Sequence, residues 1–259
     1  MPASPSPRID RAGGFEVVGL DGRELWVRAG DRPWATAAME ETGSLYRTMK
    51  DHPQARPVGG RGPALVVPTP EGTRVVRPYL RGGWMEPLLG DRYLRLGPSR
   101  PHREISLSER LREKGIATPE VTAATTHRAG PFLRGELVTR YVPDSRTLAA
   151  ALENRGSREV EEASLTAVGA LIRELAEVGL RHPDLHGENV LVQDTERGLR
   201  AWVLDLDRCR IVRDPGVAAG ARMLRARLIR SLEKRRRAIG HRLEAWVVAA
   251  LDRGMAGES

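Results

Sequence analysis

The spacing of hydrophobic and polar positions changes near residue 142. Before it, short β-branched runs alternate with glycine-containing turns. FEVVGL and RELWVRA flank Asp21-Gly22, a dipeptide typical of two-residue hairpin turns. Two further strands are predicted around a turn at Glu71-Gly72, and GELVTRYV (135–142) predicts another. The first half of the chain therefore predicts a β-rich lobe.

One helix is predicted inside this β-rich half, over residues 101–114. Pro101 suits its first turn, and Gly115 suits the position just after its end. Four positions at helical spacing form its inward face. They are Glu104, Leu107, Ser108 and Leu111. Because a buried glutamate needs a cationic partner, we expect an arginine or lysine to lie beside Glu104.

Helical periodicity dominates after residue 142. A helix over 158–178 has Leu165, Val168, Ile172 and Leu175 as its apolar stripe, and a long final helix is predicted over about 218–251. Between them, NVLVQ and LRAWVLDLD flank the turn DTERG. Strands followed by helices, rather than alternating βαβ units, indicate an α+β fold in two lobes. We expect a flexible tail over 1–13, an N-terminal lobe over 14–142 and a C-terminal lobe over 143–259.

Composition narrows the class of protein. The 259 residues are 40% hydrophobic and 29% charged, which are values of a globular chain. A single cysteine, Cys209, permits neither an intramolecular disulfide nor a thiolate metal site. The N-terminus has no apolar signal region, and no apolar run approaches the roughly 18 residues of a membrane span. We therefore expect a soluble, cytoplasmic protein.

The net charge of +8 comes almost entirely from arginine, since only three of the 42 basic residues are lysine. A GC-rich genome explains this bias as readily as function does. The functional explanation is a phosphate-bearing partner, because guanidinium groups grip phosphate through two hydrogen bonds.

The stretch RHPDLHGENVLV (181–192) concentrates the candidate chemistry. His182 and His186 have the spacing of two metal ligands on one helical face. Pro183 and Gly187 interrupt such a helix, however, and a zinc-protease motif requires glutamate where Pro183 stands. A histidine-based metal site is therefore disfavoured.

The same stretch matches a phosphotransfer loop in the spacing of His182, Asp184, Leu185 and Asn189. Asp184 would accept the proton of an attacking hydroxyl, while Asn189 and Asp205 in VLDLD would hold Mg²⁺ against the phosphates of ATP. Oxygen ligands suit this hard cation. A hairpin between the two motifs should bring Asn189 and Asp205 together.

These motifs resemble the protein-kinase-like fold. The resemblance places His186 where protein kinases have a phosphate-contacting lysine, and Pro183 where they have an arginine that senses a phosphorylated activation loop. Regulation of that kind is therefore not expected. We interpret His182 as a structural residue that bonds to the backbone.

Upstream residues supply the other parts that this resemblance implies. Gly60, Arg61 and Gly62 would cover the nucleotide phosphates, although a plain turn is the alternative. The strand TRVVRPY carries Arg77, with Val75 before it, where a lysine is usual. We predict an Arg77–Glu104 ion pair in which Arg77 reaches the α- and β-phosphates. The Arg140 carbonyl and the Val142 amide would bond adenine.

Six further segments follow one another over roughly residues 55–240. They are VVRPYLRGG, DRYLRLG, HREISLSERLREKGIATPEV, HPDLHGENVLV, VLDLDRCRI and RARLIRSLEKRRR. Together they resemble 3-deoxy-D-manno-octulosonic acid (Kdo) kinases of the lipopolysaccharide kinase group. The arginine on the strand is itself a feature of that group. The resemblance implies an ATP-dependent sugar kinase that phosphorylates Kdo of the lipopolysaccharide inner core at the cytoplasmic face of the inner membrane. The acceptor would be a Kdo-bearing lipid A precursor.

Two observations bear on the acceptor. Only about ten residues separate Asp207 from the final helix, which leaves no platform for a protein substrate and favours a small or lipid-linked hydroxyl. The final helix carries nine arginines and lysines against Glu233 alone between residues 220 and 242. That excess is consistent either with attraction to anionic lipid or with a solvated face. A stripe for core packing is predicted at Leu224, Leu228, Leu232, Ile239 and Leu243.

Other functions share part of this pattern. A small-molecule kinase of the aminoglycoside or choline type has the same catalytic loop. A pseudokinase or a basic nucleic-acid-binding protein would account for Arg77 and for the net charge. Retention of Asp184, Asn189 and Asp205 opposes a pseudokinase, and the scarcity of aromatic residues opposes a single-stranded nucleic acid partner.

Overall fold

A computed structural model describes residues 8–10, 14–58, 63–79, 93–94, 100–129, 132–153, 157–213 and 216–258. The chain divides into two compact units. The first comprises Met1–Glu109 and Glu120–Tyr141, and the second comprises Arg110–Pro119 and Val142–Ser259. The change of unit after Tyr141 lies one residue before the boundary expected from the sequence, whereas the short segment 110–119 was expected in the other lobe.

An antiparallel sheet forms the first unit. Its described strands are β1 (Arg8–Asp10), β2 (Phe15–Leu20), β3 (Arg23–Arg28), β4 (Arg56–Pro57), β5 (Leu65–Thr69), β6 (Gly72–Pro78), β7 (Tyr93–Leu94), β8 (Val121–Ala129) and β9 (Phe132–Arg140). They are ordered β1-β2-β3-β8-β9-β6-β5-β4, and β7 also pairs with β9. The strands β1, β7 and β8 were not predicted. Strand β1 pairs with β2, so the expectation of a flexible tail over 1–13 is wrong for residues 8–10, while 1–7 and 11–13 lie outside the described residues.

The β2–β3 hairpin confirms the predicted turn. Asp21 and Gly22 have φ angles of 45° and 75°, and the strands pair from Leu20 opposite Arg23 to Phe15 opposite Arg28. Positive φ at both central residues defines a type I′ turn, whose twist matches that of the flanking strands. The Asp-Gly pair is therefore the reason that the chain reverses here.

Each face of the sheet packs against helices. One face, which includes Val76 and Val138, forms a core with α1 (Arg32–Thr42) and α2 (Leu45–Lys50). On the other face, Leu137 and Tyr79 pack with Ile105 of α3 (Arg100–Glu113). Adjacent residues on one strand point to opposite faces, so β9 contributes Val138 to one core and Leu137 to the other. Residues 15–50 thus supply two strands and the helical cover of one face.

Four α-helices, one single-turn helix (Gly187–Asn189) and five strands are described in the second unit after residue 142. The helices are α4 (Leu148–Glu153), α5 (Arg158–Glu177), α6 (Val217–Ala238) and α7 (Ala245–Ala256). The strands are β10 (Ser145–Thr147), β11 (Leu180–Arg181), β12 (Val190–Thr195), β13 (Gly198–Val203) and β14 (Arg210–Ile211). The apolar stripe predicted for α5 is fully buried, and Gly179 follows the helix with a φ of 73°.

The central helix α5 lies against α7 at two glycines. A Cβ atom on Gly169 would collide with the backbone at Leu251, and one on Gly254 would collide with the backbone at Thr166. Only glycine allows the two helix backbones to approach this closely. Together with α6 and β13, α7 therefore encloses α5, and the core of the second unit forms around it.

The single helix predicted over 218–251 is wrong. Helix α6 ends at Ala238, Gly240 takes a φ of 78°, and α7 begins after Glu244. The predicted stripe accordingly breaks up: Leu224, Leu228 and Leu232 are buried, but Ile239 is 55% exposed. Two apolar residues at suitable spacing suggested a continuous helix, whereas the left-handed glycine ends it. Within the described residues, no helix combines the length and the apolar character needed to cross a membrane.

Candidate active site

His182 organises the loop that follows β11. Its Nε2 lies 3.0 Å from the Leu204 carbonyl oxygen, and its Nδ1 accepts a hydrogen bond from the Asp184 amide at 3.3 Å. A carbonyl only accepts and an amide N–H only donates, so the proton sits on Nε2. Burial lowers the pKa of His182 below its usual value, which keeps the ring neutral. The interpretation of His182 as a structural residue is confirmed.

Asp184 is fixed through its backbone and exposed through its side chain. Its amide donates to His182, and its carbonyl oxygen accepts a 3.0 Å hydrogen bond from Asn189 Nδ2. The carboxylate-bearing side chain is 60% exposed. The loop therefore presents this carboxylate to solvent from a fixed backbone, as a proton acceptor requires.

The predicted approach of Asn189 to Asp205 is confirmed. Strands β12 and β13 form a hairpin in which Val190 lies opposite Val203. One step beyond that pair, the Leu204 amide donates a 2.9 Å hydrogen bond to the Asn189 carbonyl oxygen. Since Asp205 follows directly, the two candidate metal ligands lie at the same end of the hairpin.

Asp205 has an unusual backbone conformation, with a φ of 56°. Left-handed geometry at a non-glycine residue carries strain of roughly 1–3 kcal/mol and persists only where the surrounding structure imposes it. The chain is held on both sides, by the Leu204–Asn189 bond and by a hydrogen bond from the Cys209 amide to the Leu206 carbonyl oxygen. Asp205 is therefore turned out of the line of β13 at the hairpin end.

The donor chemistry at this end of the hairpin fits Mg²⁺. Asn189 commits its amide nitrogen to the Asp184 carbonyl, so Oδ1 is the side-chain atom suited to a cation. Asp205 adds a carboxylate. Two protein oxygen ligands, completed by phosphates and water, are the usual magnesium set in phosphotransfer sites.

His186 begins the one-turn helix Gly187–Asn189. Its Nδ1 accepts a hydrogen bond from the Glu188 amide at 3.2 Å, and its Nε2 lies 4.0 Å from Asp184 Oδ2. The side chain is one third exposed. His186 is thus beside the candidate catalytic carboxylate, and contact with a phosphate stays a prediction.

The first unit contains the predicted Arg77–Glu104 ion pair. Arg77 Nη2 lies 2.5 Å from Glu104 Oε1, and the Glu104 side chain is only 5% exposed while that of Arg77 is 27% exposed. Tyr79 donates a 2.6 Å hydrogen bond to the other carboxylate oxygen, and the Arg77 guanidinium lies 5.0 Å from its ring centroid. Tyr79 was not predicted, although its position two residues after Arg77 places it on the same face of the sheet.

The other residues predicted to bind the nucleotide lie on or beside the strands β6 and β9 where the structure describes them. Val75 lies on β6 opposite Thr139, Arg140 ends β9, and Val142 is a buried residue whose carbonyl oxygen accepts a 2.7 Å hydrogen bond from Ser145. Their contacts with a nucleotide stay predictions. Gly60, Arg61 and Gly62 lie outside the described residues.

Two arginines of α6 also hold the catalytic loop and were not predicted. Arg227 donates to the Pro183 carbonyl oxygen, and Arg235 bridges Glu188 and Glu153 at 2.8 and 2.6 Å. They are eight residues apart, which places them about 80° apart around the helix axis, on one half of its surface. Their position on one half of the helix could have been read from the sequence. The basic residues of this helix were instead considered only as a total charge.

Fold and site together define a protein-kinase-like phosphotransferase. Among solved structures, WaaP in complex with acyl carrier protein is similar with a TM-score of 0.50 over 88% of each chain, at 16% sequence identity. This likeness supports the two-lobed α+β fold.

Sequence comparison shows the particular family. The model of the lipopolysaccharide kinase (Kdo/WaaP) family matches residues 51–246. A 3-deoxy-D-manno-octulosonic acid kinase of Stenotrophomonas maltophilia strain K279a is 36% identical over 71% of this chain and 72% of its own length. One of Xanthomonas oryzae pv. oryzae strain PXO99A is 37% identical over 74% and 76%. The chain belongs to the lipopolysaccharide kinase (Kdo/WaaP) family and is a kinase.

Proposed function

We propose that this protein transfers the γ-phosphoryl group of ATP to a hydroxyl of Kdo in the lipopolysaccharide inner core. The observation that carries the proposal is the geometry around Asp184, whose carboxylate is exposed while its backbone is bonded on both sides. The similarity to kinases named for Kdo supports the choice of acceptor.

Asp184 accepts the hydroxyl proton as the acceptor oxygen attacks the phosphorus. His182 and Asn189 hold the loop in place, since each bonds to the Asp184 backbone and leaves the carboxylate to the acceptor. His186, with Nε2 4.0 Å from that carboxylate, would contact a phosphate oxygen. Positioning of this kind supplies much of the rate enhancement in phosphoryl transfer.

Asn189 and Asp205 would hold Mg²⁺, which neutralises charge on the ATP phosphates during transfer. In the first unit, Glu104 orients Arg77 toward the α- and β-phosphates. A guanidinium keeps its charge and can form two hydrogen bonds to a phosphate, so it can replace the usual lysine. Adenine would bond to the Arg140 carbonyl and the Val142 amide.

We further propose that the protein is cytoplasmic and contacts the inner membrane peripherally through α6. Its exposed basic residues are Arg222, Arg230, Lys234 and Arg237. They cover roughly a third of the helix circumference, opposite Leu224, Leu228 and Leu232. Anionic headgroups attract such a face by about 1 kcal/mol per basic side chain near the surface.

Transfer of ³²P from ATP to a Kdo-bearing lipid A precursor tests the activity. Asp184→Asn and Asp205→Ala should each lower kcat by roughly 10²- to 10⁴-fold, because each removes a group that acts on the reacting atoms. Asp194→Asn removes an exposed carboxylate at the far end of the same hairpin and should leave kcat unchanged. Wild-type protein that transfers no phosphate, or catalytic variants that match wild type, would contradict the proposal.

Two further arms complete the assay. Aminoglycosides and choline replace the acceptor, and transfer to them instead of Kdo would point to the alternative kinase class. With the acceptor in anionic vesicles, we expect transfer to fall as salt is raised, since screening weakens a basic surface. Equal rates in anionic and neutral vesicles would contradict membrane contact by α6.

A further inference from the structure

An arginine-rich pocket lies in the second unit beside the candidate catalytic loop. Four of its described lining residues are arginines. They are Arg181, Arg208, Arg210 and Arg227. His182, Pro183, Met223 and Leu224 complete the described lining, which contains no acidic side chain. We refer to this cavity as the arginine pocket.

The strand register brings two of these positive charges together. In the short β11–β14 pair, Arg181 lies directly opposite Arg210. Side chains directly opposite in an antiparallel pair have Cβ atoms about 5 Å apart, and like charges there destabilise the pair. The pairing places two guanidinium groups at the same part of the pocket lining. The register therefore suits a ligand of negative charge.

The pocket is joined to the catalytic loop. Pro183 lines it and directly precedes Asp184, and Arg227 donates a hydrogen bond to the Pro183 carbonyl oxygen. His182, which bonds the Asp184 amide, lines it as well. A ligand group bound in the pocket is consequently close in the structure to the backbone that carries the proposed catalytic carboxylate.

The lining also limits the kind of anion. Met223 and Leu224 of α6 give one wall an apolar surface, while guanidinium groups from β11, β14 and the preceding turn provide the donors. Arginine binds carboxylate and phosphate through paired hydrogen bonds, which fix orientation as well as charge. A compact oxyanion attached to a larger, partly apolar or sugar-like molecule matches this lining.

We propose that the arginine pocket binds a carboxylate or phosphate of the acceptor and thereby positions its hydroxyl for Asp184. The proposal rests on the phosphotransfer function above and assigns it a subsite for an anionic acceptor. Arg208 and Arg210 are the residues that set this specificity. Arg227 has a second role, because it holds the Pro183 carbonyl, and is unsuitable as a test position.

The test compares the double variant Arg208→Gln/Arg210→Gln with wild type. Both side chains are exposed, so their loss should not unfold the protein. The KM for a Kdo-bearing lipid A precursor should rise at least tenfold, while the KM for ATP changes less than twofold. Arg197→Gln removes an exposed arginine from the β12–β13 turn and should change neither. An unchanged acceptor KM in the double variant would overturn the proposal.

Two modified acceptors distinguish the sources of the anion. One has the Kdo carboxylate reduced to an alcohol, and the other has the lipid A phosphates removed. If the pocket binds the missing group, wild type should lose affinity for that acceptor and the double variant should lose nothing further, because the two changes remove one interaction. Additive losses with both acceptors would show that neither group occupies the pocket.

A binding measurement separates this proposal from the proposed function. Isothermal titration with free Kdo and with inorganic phosphate is performed in saturating ADP and Mg²⁺, which fill the nucleotide site. Wild type should bind at least one of these anions, and the double variant should bind it at least tenfold more weakly, even if no phosphate transfer to Kdo is found. Binding of neither anion by wild type, or equal binding by both proteins, overturns the pocket assignment whatever the transfer assay shows.

Discussion

Strand β6 carries two arginines that each pair with a carboxylate, on opposite faces of the same sheet. Arg74 holds Asp31 through two hydrogen bonds of 2.7 and 3.2 Å, and Arg77 holds Glu104 at 2.5 Å. The Arg74 side chain is 1% exposed, whereas that of Arg77 is 27% exposed. The two pairs are similar in distance and differ in what surrounds the arginine.

The surroundings indicate different roles. Arg74 also donates to the Glu71 and Thr73 carbonyl oxygens, and Asp31 accepts from the Trp34 indole. This pair is enclosed by partners of its own unit and has a structural role. In the other pair the carboxylate is buried and accepts a hydrogen bond from Tyr79, but the arginine side chain is partly exposed. The partly exposed Arg77, oriented by the buried Glu104, can serve in ligand binding. The fully enclosed Arg74–Asp31 pair can serve only to stabilise the fold.

The largest effect should come from breaking the enclosed pair. Arg74→Met leaves the Asp31 carboxylate buried without its cation, which should lower the free energy of unfolding by about 3–5 kcal/mol. Urea denaturation followed by tryptophan fluorescence measures this. Arg74→Met/Asp31→Leu should recover most of the loss, since apolar side chains of similar volume can replace a buried pair.

The control for that measurement is Arg32→Met. Arg32 pairs with Glu16 at 2.9 Å, but its side chain is 42% exposed, so the change should cost less than about 1 kcal/mol. An Arg74→Met protein that unfolds at the wild-type urea concentration would show that the enclosed pair does not stabilise the first unit.

The next effect should appear in catalysis. Arg77→Ala should raise the KM for ATP roughly tenfold or more, because the guanidinium that we propose to contact the phosphates is lost. Arg77→Lys should retain much of the activity, since an ammonium group restores the charge. Steady-state kinetics with varied ATP measures both, and Arg47→Ala, an exposed arginine of α2, is the matched control. A wild-type KM in Arg77→Ala would refute the role of the pair in ATP binding.

Sequence reasoning found one of these pairs and missed the other for a physical reason. Glu104 lies on a long amphipathic helix whose period shows which residues face inward, and Arg77 stands on the strand where the resemblance to the protein-kinase-like fold implies a lysine. Asp31 lies in the one-turn helix Ala29–Asp31, which is too short to have a period. Its contact with Arg74 is set by tertiary packing that neither local segment encodes.

The same distinction applies to the candidate site. The hairpin that joins Asn189 to Asp205 was predictable, because pairing of its strands follows from the turn between them. The bonds from His182 and Asn189 that fix Asp184 are local, within five residues along the chain. The contact of Arg227 with Pro183 depends on a distant element and was not predictable. The end of α6 could not be predicted from the spacing of apolar residues. The helix stops where Gly240 takes a left-handed φ, and apolar spacing does not show that conformation.

Tyr79→Phe should give the smallest effect, and it tests whether the hydrogen bond from Tyr79 to Glu104 matters for the Arg77–Glu104 pair. The hydroxyl donates to Glu104 Oε2 at 2.6 Å, and its loss should lower the free energy of unfolding by about 1–2 kcal/mol. Because Arg77 still holds Oε1, the KM for ATP should rise only about two- to fivefold, as the carboxylate gains some freedom. Denaturation and kinetics are compared with Tyr46→Phe, which removes a hydroxyl on the other face of the sheet.

The combined variant Arg77→Ala/Tyr79→Phe decides whether Tyr79 acts through Glu104. If it does, the effect of Tyr79→Phe on the KM for ATP should vanish once Arg77 is absent, because orientation of the acid then has no cation to influence. Effects on KM that simply multiply would instead mean that Tyr79 contributes to ATP binding independently of the pair. In that case the carboxylate would be no more than a structural partner, and the two pairs of β6 would differ in exposure without differing in role.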